Sequence, residues 1–290
     1  MFRKYYRPKH LSEALAILSD YGGRARVMAG GTDLIVQLSR GDISFDAVVD
    51  ITRIKELRYI IEEDGIKIGA LATHTDLSES IIIKQKAPYL AEAAGEVGSL
   101  QIRNVGTVGG NIVNAQPAAD TAIPLMALNA VATIVSATGA RQLPLEKLYH
   151  PDGGTMLDPT CELLTEISFH SPKDMGGNGA FGRVAKRKAL ALPVFNAAVV
   201  LLPSINKDGI KDARIVMGPV ARFPFRAGKA EKLLEESPPE ENIFREAAIA
   251  ASHEAQPRDS VFRGSSVYRK KLVQIIVYRN LIKVWKDMGY

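Results

Sequence analysis

Cysteine is nearly missing from these 290 residues, and the single Cys161 excludes an internal disulfide framework. One thiol is also too few for the set of thiolates that holds an iron–sulfur cluster, so any cluster chemistry must sit on another chain. No apolar run is long enough to span a bilayer, and Met1, Phe2, Arg3, Lys4 and Tyr5 open the chain without the apolar stretch of a signal peptide. A soluble, cytoplasmic protein with no transmembrane segment is the expectation. Histidine is scarce and scattered, at His10, His74, His150, His170 and His253, which gives no metal site and reads as surface or satisfied structural histidines. The chain also lacks the G-x-G-x-x-G fingerprint, the Walker pattern, a G-x-S-x-G elbow and an H-E-x-x-H pair, which argues against a Rossmann dehydrogenase, a P-loop ATPase, a serine hydrolase and a zinc protease. Nor is there a run of one charge. The net +5 is made of Lys and Arg interleaved with acids, as in 229–241, and reads as solvated surface with no nucleic-acid partner expected. The densest basic cluster, Arg183, Lys186, Arg187 and Lys188, leaves three readings open: a solvated face, a nucleic-acid contact, or a contact to a phosphate-bearing cofactor.

What is present is ample apolar material, 46% of residues, over a length that favours two domains. Leu11, Ala14, Leu15 and Leu18 recur at helical spacing, with Ser12 and Glu13 suited to a first turn. Residues 24–29 read as a strand, Gly30-Gly31-Thr32-Asp33 as a turn, and 34–38 as the start of a helix. A strand is expected at 48–51, and the runs 59–61 and 66–68 form a hairpin about Asp64-Gly65. Leu90, Ala93, Ala94 and Val97 share one face of a helix over 88–97. A second helix is expected over 120–128, capped by Asp120 with Pro124 near its first turn. Strands follow at 131–136 and 163–169, and Lys173 to Gly179 is the best linker or exposed loop. A second α+β unit comes after it, with strands near 197–202 and 210–217, a turn at 206–209, and three helical stretches ending at Trp285.

Two glycine-rich segments carry the chemistry. Gly30-Gly31-Thr32 sits at a strand-to-helix turn, where backbone N–H groups unobstructed by a Cβ, together with the helix dipole, suit an anion. Gly106-Thr107-Val108-Gly109-Gly110-Asn111 offers amides and a carboxamide that could donate to phosphate or ribityl oxygens. The competing reading makes each a tight turn, with Thr32 and Asp33 as helix caps.

The segments Arg26-Val-Met-Ala-Gly-Gly-Thr-Asp-Leu-Ile35, Gln101-Ile-Arg-Asn-Val-Gly-Thr-Val-Gly-Gly-Asn-Ile112 and Ala118-Ala-Asp-Thr121 closely resemble the two FAD-binding signatures of the molybdopterin dehydrogenase flavoprotein family. That family includes the medium subunit of aerobic carbon monoxide dehydrogenase and the central part of xanthine dehydrogenase. The similarity runs nearly end to end, from Tyr6-Arg7-Pro8 to Arg263-Gly-Ser-Ser-Val-Tyr-Arg269. The resemblance implies an α+β chain: a two-subdomain FAD-binding fold of the PCMH (vanillyl-alcohol-oxidase-like) type over 1–173, its subdomains about 1–55 and 56–173, then a smaller C-terminal α+β domain over 179–290. It places Ala29, Gly30, Gly31, Thr32, Asp33 and Leu34 along the pyrophosphate. Gly106, Thr107, Gly110, Asn111, Asn114 and Asp120 would hold the phosphates and ribityl chain, and Leu164 would lie near the flavin or adenine. Arg183 stands where members commonly carry a lysine, and Val97 where xanthine dehydrogenase has an aromatic near the isoalloxazine, so stacking there is absent. Some relatives hold an extra cluster in this subunit, and the lone Cys161 argues that this chain does not.

By the same resemblance the chain is an FAD-binding electron-transfer subunit, an oxidoreductase component with no catalytic acid, base or nucleophile and no metal of its own. Its expected partners are a large subunit with the molybdopterin cofactor and a small subunit with [2Fe–2S] clusters, in a heterotrimer or its dimer, with an external electron acceptor such as NAD, a quinone or dioxygen. Two other readings stand beside it: a free-standing FAD-dependent oxidase or reductase, for which a covalent flavin anchor at His74 has only its residue type in favour, and a non-enzymatic basic binding or scaffold protein.

Overall fold

The structure is a computed structural model that describes residues 2–187, 190–206 and 208–290; Met1, Lys188 of the basic cluster and Lys207 of the 206–209 turn lie outside the described residues. Strand β1 (Lys4–Tyr6), helix α1 (Leu11–Tyr21), β2 (Ala25–Met28), α2 (Leu34–Arg40) and β3 (Ala47–Asp50) form a parallel sheet in the order β1-β3-β2. Parallel neighbours need crossovers, which α1 and α2 supply. Helix α1 runs a turn beyond the expected 11–18 and stops where Gly22 takes φ +52, a left-handed cap suited to glycine. Ala14, Leu15 and Leu18 face the sheet, and burying a leucine of this kind stabilises by about 1.5–3 kcal/mol.

An antiparallel sheet in the order β4-β5-β8-β6-β7 follows. The hairpin of β4 (Ile60–Glu62) and β5 (Ile66–Gly69) turns at Asp64 and Gly65, both with positive φ, as the Asp-Gly pair predicts. Between β5 and β6 the chain winds through short helices: α3 (His74–Glu79), α4 (Ile81–Lys86), α5 (Pro88–Gly95), α6 (Leu100–Val105), α7 (Val108–Val113) and α8 (Ala122–Ala127). Strands β6 (Val131–Ser136) and β7 (Gly139–Pro144), helix α9 (Leu145–Leu148) and strand β8 (Leu163–Phe169) complete this part. Helix α5 ends before Val97, so that residue does not share the helical face with Leu90, Ala93 and Ala94. The expected helix over 120–128 starts later, at Ala122. Asp120 caps nothing there, because its carboxylate is engaged elsewhere.

Lys173 to Gly179 is only partly loop. Pro172–Met175 form a 3-10 turn that Ser171 caps, Gly177 is backed by the Leu201 carbonyl, and Asn178 already begins β9 (Asn178–Ala185). With β10 (Pro193–Pro203), β11 (Ile210–Gly218) and β12 (Phe225–Arg226) this strand makes an antiparallel sheet, order β12-β11-β10-β9. Helices α10 (Gly228–Glu235), α11 (Glu241–Glu254) and α12 (Ser266–Asp287) close the chain. From Ala197 to Leu202, β10 is an unbroken apolar run because both of its faces are covered: Ala197, Val199 and Leu201 pack with the helices that close the chain, and Ala198 and Val200 join the core around α5 and α8. The close approach of Gly218 to the Pro117 carbonyl, which leaves no room for a Cβ, seats this sheet against the segment before α8.

Candidate functional site

The loop from β2 into α2 and the end of α6 meet at one place. A Cβ built on Gly30 would stand 1.9 Å from the Val105 carbonyl oxygen and 3.0 Å from the Gly106 amide nitrogen. Only glycine permits that approach. Two segments more than seventy positions apart in sequence therefore share a wall, the juxtaposition that the glycine pattern requires if both serve one ligand.

Their contributions differ. Among the described residues, the backbone N–H groups of Gly30, Gly31, Thr32, Asp33 and Leu34 donate no hydrogen bond within the chain. Gly31 has φ +68 and the run is partly open to solvent. Asp33 occupies the position before α2 but makes no capping hydrogen bond, so the capping alternative fails for it. The second segment, expected to offer bare amides, has most of them occupied, by the end of α6, by the chain just after β5 and by the turn that opens α7. The Gly106 amide donates to Ile102, Val108 to Ala72, Gly109 to Ala70, Gly110 to the Thr107 hydroxyl and Asn111 to the Thr107 carbonyl, at 2.7–3.1 Å. What it presents instead is side chains. Thr121 Oγ1 donates to Asn111 Oδ1 at 2.7 Å, which leaves the Asn111 amide group to face outward, and Asn114 lies half-buried at the end of α7. Gly109 is a packing glycine whose Cβ would press on Ala70, whereas exposed Gly110 would meet only the Thr107 hydroxyl, at 3.0 Å.

Asp120 and Arg183 are brought together. Arg183 Nε lies 3.2 Å from Asp120 Oδ1, its Nη1 3.4 Å from Glu96, and its Nη2 donates to the Ala191 carbonyl. Asn196 Nδ2 adds a hydrogen bond to Asp120 of 2.7 Å. Burial pushes the Asp120 carboxyl up to about 6, against the pull of Arg183 and Asn196. Arg183 is therefore part of a buried ion pair and not of a solvated basic face. Leu164 is in the apolar core on β8, against which α7 packs, and its side chain reaches no open surface. Ala29 is half-buried beside Gly30.

Sequence reasoning passed over Asn196 and misjudged His74. His74 is neither on the surface nor satisfied: it is buried beneath Gly106, 3.3 Å from where a Cβ there would be, and its Nδ1 has no partner among the described residues. Burial, with the charge of Arg103 adding to it, lowers its pKa to about 4, so the ring is neutral. A readable signal existed, since Thr73 and Asp76 form a reciprocal capping box that fixes the start of α3 at His74. Among the described residues no cluster of metal-ligating side chains occurs, and no helix is long and apolar enough to cross a membrane.

Unbonded amides along a glycine loop, joined at Gly30 to the end of the segment that carries Thr107, Asn111 and Asn114, fit a diphosphate-bearing dinucleotide. Residues 1–172 match the family described as the FAD binding domain in molybdopterin dehydrogenase, and residues 180–284 the CO dehydrogenase flavoprotein C-terminal domain. The glyceraldehyde dehydrogenase medium chain of Sulfolobus acidocaldarius is 33% identical, over 98% of each chain, and the nicotinate dehydrogenase FAD-subunit of Eubacterium barkeri 32% identical, over 93% of this chain and 92% of that one. Among solved structures, a carbon monoxide dehydrogenase chain from Hydrogenophaga pseudoflava superposes with a TM-score of 0.92 at 29% identity, covering 99% of this chain and 98% of that one. The chain belongs to the FAD-binding flavoprotein family of molybdopterin dehydrogenases, and it has the α+β fold of that family, a two-subdomain FAD-binding part and a smaller C-terminal domain. It is a flavoprotein medium subunit of an oxidoreductase.

Proposed function

We propose that this subunit is an electron relay, carrying electrons from [2Fe–2S] clusters of a small partner, supplied by a large molybdopterin-bearing partner, to an external acceptor such as NAD, a quinone or dioxygen. The observation that carries the reading is the unbonded amide run of residues 30–34 pinned against Val105 and Gly106. Those amides would hold the pyrophosphate, with Ala29 giving the loop its entry and Thr32 adding a hydroxyl. Thr107, Gly110, Asn111 and Asn114 would line the facing wall beside the phosphates and ribityl chain, with Gly106 closing the joint and Leu164 backing α7 from the core. Asp120 and Arg183 would fix the side nearest the C-terminal sheet. Bound there, FAD supplies a carrier that takes up electrons singly and gives them up in pairs. The chain's own residues would position and shield it, and substrate oxidation is assigned to a partner.

The test compares the flavin-loaded chain alone with the assembled complex, both mixed anaerobically with the organic substrate of the complex. Bleaching of the flavin band only in the assembled complex is the expected result. Turnover of an organic substrate by the isolated chain would instead establish a free-standing oxidase or reductase, and a purified chain that takes up no added FAD would establish a scaffold.

A further inference from the structure

Two arginines of the C-terminal part stand without acids. Arg269 lies on the inward face of α12 at 3% exposure, and its Nη1 donates to the Arg258 carbonyl at 3.1 Å. Its Nε and Nη2 form the edge of the guanidinium that matches the two oxygens of a carboxylate, and neither has a partner among the described residues. Arg263 is half-buried beside it, and among the described residues its side chain makes no hydrogen bond or ion pair. Burial lowers the pKa of both guanidiniums, and for Arg269 the charge of Arg263 adds to the effect. Adjacent cations withdrawn from water with no counter-charge raise the free energy of the chain alone.

The cover over them is unusual for a free surface. Ser260 and Gly264 exchange backbone hydrogen bonds of 3.1 and 2.8 Å, closing a hairpin whose tip is Val261 and Phe262, 92% and 84% exposed. Val267 and Tyr268, in the first turn of α12, continue the apolar surface, with the Tyr268 ring against Gly264. Lys186 Nζ, 3.5 Å from the Val261 carbonyl, adds charge of the same sign. Asp259 nearby accepts from the Ser266 amide at 2.6 Å, and among the described residues it forms no ion pair with either arginine. An exposed aromatic beside arginines is the composition of a protein interface, and a nucleic-acid backbone would find apolar side chains at the centre of the patch.

We infer that the Ser260–Gly264 hairpin and the first turn of α12 dock an acidic, apolar-flanked segment of a partner subunit, whose carboxylate pairs with Arg263 over the buried charge of Arg269 while its apolar side chain packs on Phe262. This rests on the reading of the chain as one subunit of a larger complex. The docked carboxylate supplies the missing counter-charge, and the hairpin tip leaves water.

The complex is recovered through a tag on this chain after co-expression with its molybdopterin-bearing and iron–sulfur subunits, as wild type, Phe262→Asp, Arg263→Glu and, at an exposed apolar residue elsewhere, Ile205→Asp. Expected are losses of co-purifying subunits of about tenfold or more for Phe262→Asp and Arg263→Glu, with FAD per chain unchanged, and no loss for Ile205→Asp. Hydrogen exchange adds a reading on the unaltered protein: residues 258–268 become protected in the complex relative to the free chain. Full retention of subunits by both variants, absence of that protection, or loss of bound nucleic acid in place of subunits would overturn the proposal. A wild-type chain that is loaded with FAD yet recovers no subunit would instead sink the subunit reading itself, and the docking surface with it.

Discussion

Replacing Gly30 by alanine isolates the joint on which the flavin site depends. The added Cβ would lie 1.9 Å from the Val105 oxygen and 2.6 Å from its carbonyl carbon, and both are backbone atoms that cannot rotate away. Restoring ordinary contact requires the two segments to part by about 1.5 Å, an overpacking of the kind that costs about 1–3 kcal/mol. The same shift turns the amides of residues 30–34 away from the facing wall. Hydrogen bonds to a charged group contribute about 1.5–3 kcal/mol each, so loss of alignment at one or two amides weakens FAD binding by about a hundredfold. The comparison is Gly110→Ala, whose Cβ would meet only the Thr107 hydroxyl and whose helical position favours alanine by about 1 kcal/mol. Titration of apo-protein with FAD, followed by flavin fluorescence, and urea unfolding of the same samples separate binding from stability. Gly30→Ala should lose both, while Gly110→Ala keeps or raises its unfolding midpoint and any loss in it is confined to flavin affinity. Wild-type affinity together with a wild-type midpoint in Gly30→Ala would refute the account of the joint.

Asp120 and His74, both buried, should give opposite pH slopes in the apo-protein. The Asp120 carboxyl is raised from 3.8 to about 6, so its contribution is full below pH 3.8 and is lost as pH rises through 6; the stability of wild type relative to Asp120→Asn should fall over that window by up to roughly 3 kcal/mol. His74 is depressed from 6.5 to about 4, so its contribution is present above pH 6.5 and is lost as pH falls towards 4; wild type should lose up to roughly 3 kcal/mol against His74→Gln over that window. Urea midpoints at several pH values check both, and parallel profiles for wild type and variant would contradict the burial of the group concerned. In the C-terminal part, Gly182→Ala would push a Cβ within 2.6 Å of Ile276 and 2.9 Å of Asn280 on α12, at a cost of about 1–3 kcal/mol. Calorimetry should register it as a drop in melting temperature of roughly 2–4 °C per kcal/mol, and an unchanged melting temperature would show that α12 can move aside.

Much of the fold was legible where local chemistry decides. The Asp64-Gly65 hairpin and the Leu11-Ala14-Leu15-Leu18 stripe of α1 follow from backbone freedom and from one-sided burial, and both are properties of neighbouring residues. Less legible were β7, whose Gly139–Pro144 run is mostly exposed and carries no apolar alternation, and the short helices α3, α4 and α6, too brief for a full period of 3.6 to show. Strand β9 hid for a different reason: its glycines at 179 and 182 look like loop, yet each is there because Tyr89 or Ile276 and Asn280 press against it.

In the site, the residue types by themselves offered two glycine segments suited to an anion, with a plain tight turn as the competing reading, and the resemblance of those segments to family signatures is what pointed to FAD. Only the tertiary structure decided how they divide the work. Ile102, Ala72 and Ala70, which the fold brings to the second segment, accept from the Gly106, Val108 and Gly109 amides while the amides of the first segment stay open, and the Asp120–Arg183 pair forms between residues 63 positions apart. Whether a polar group is spent inside the chain or left for a ligand depends on what the rest of the fold brings within about 3 Å of it, which no local stretch of sequence encodes.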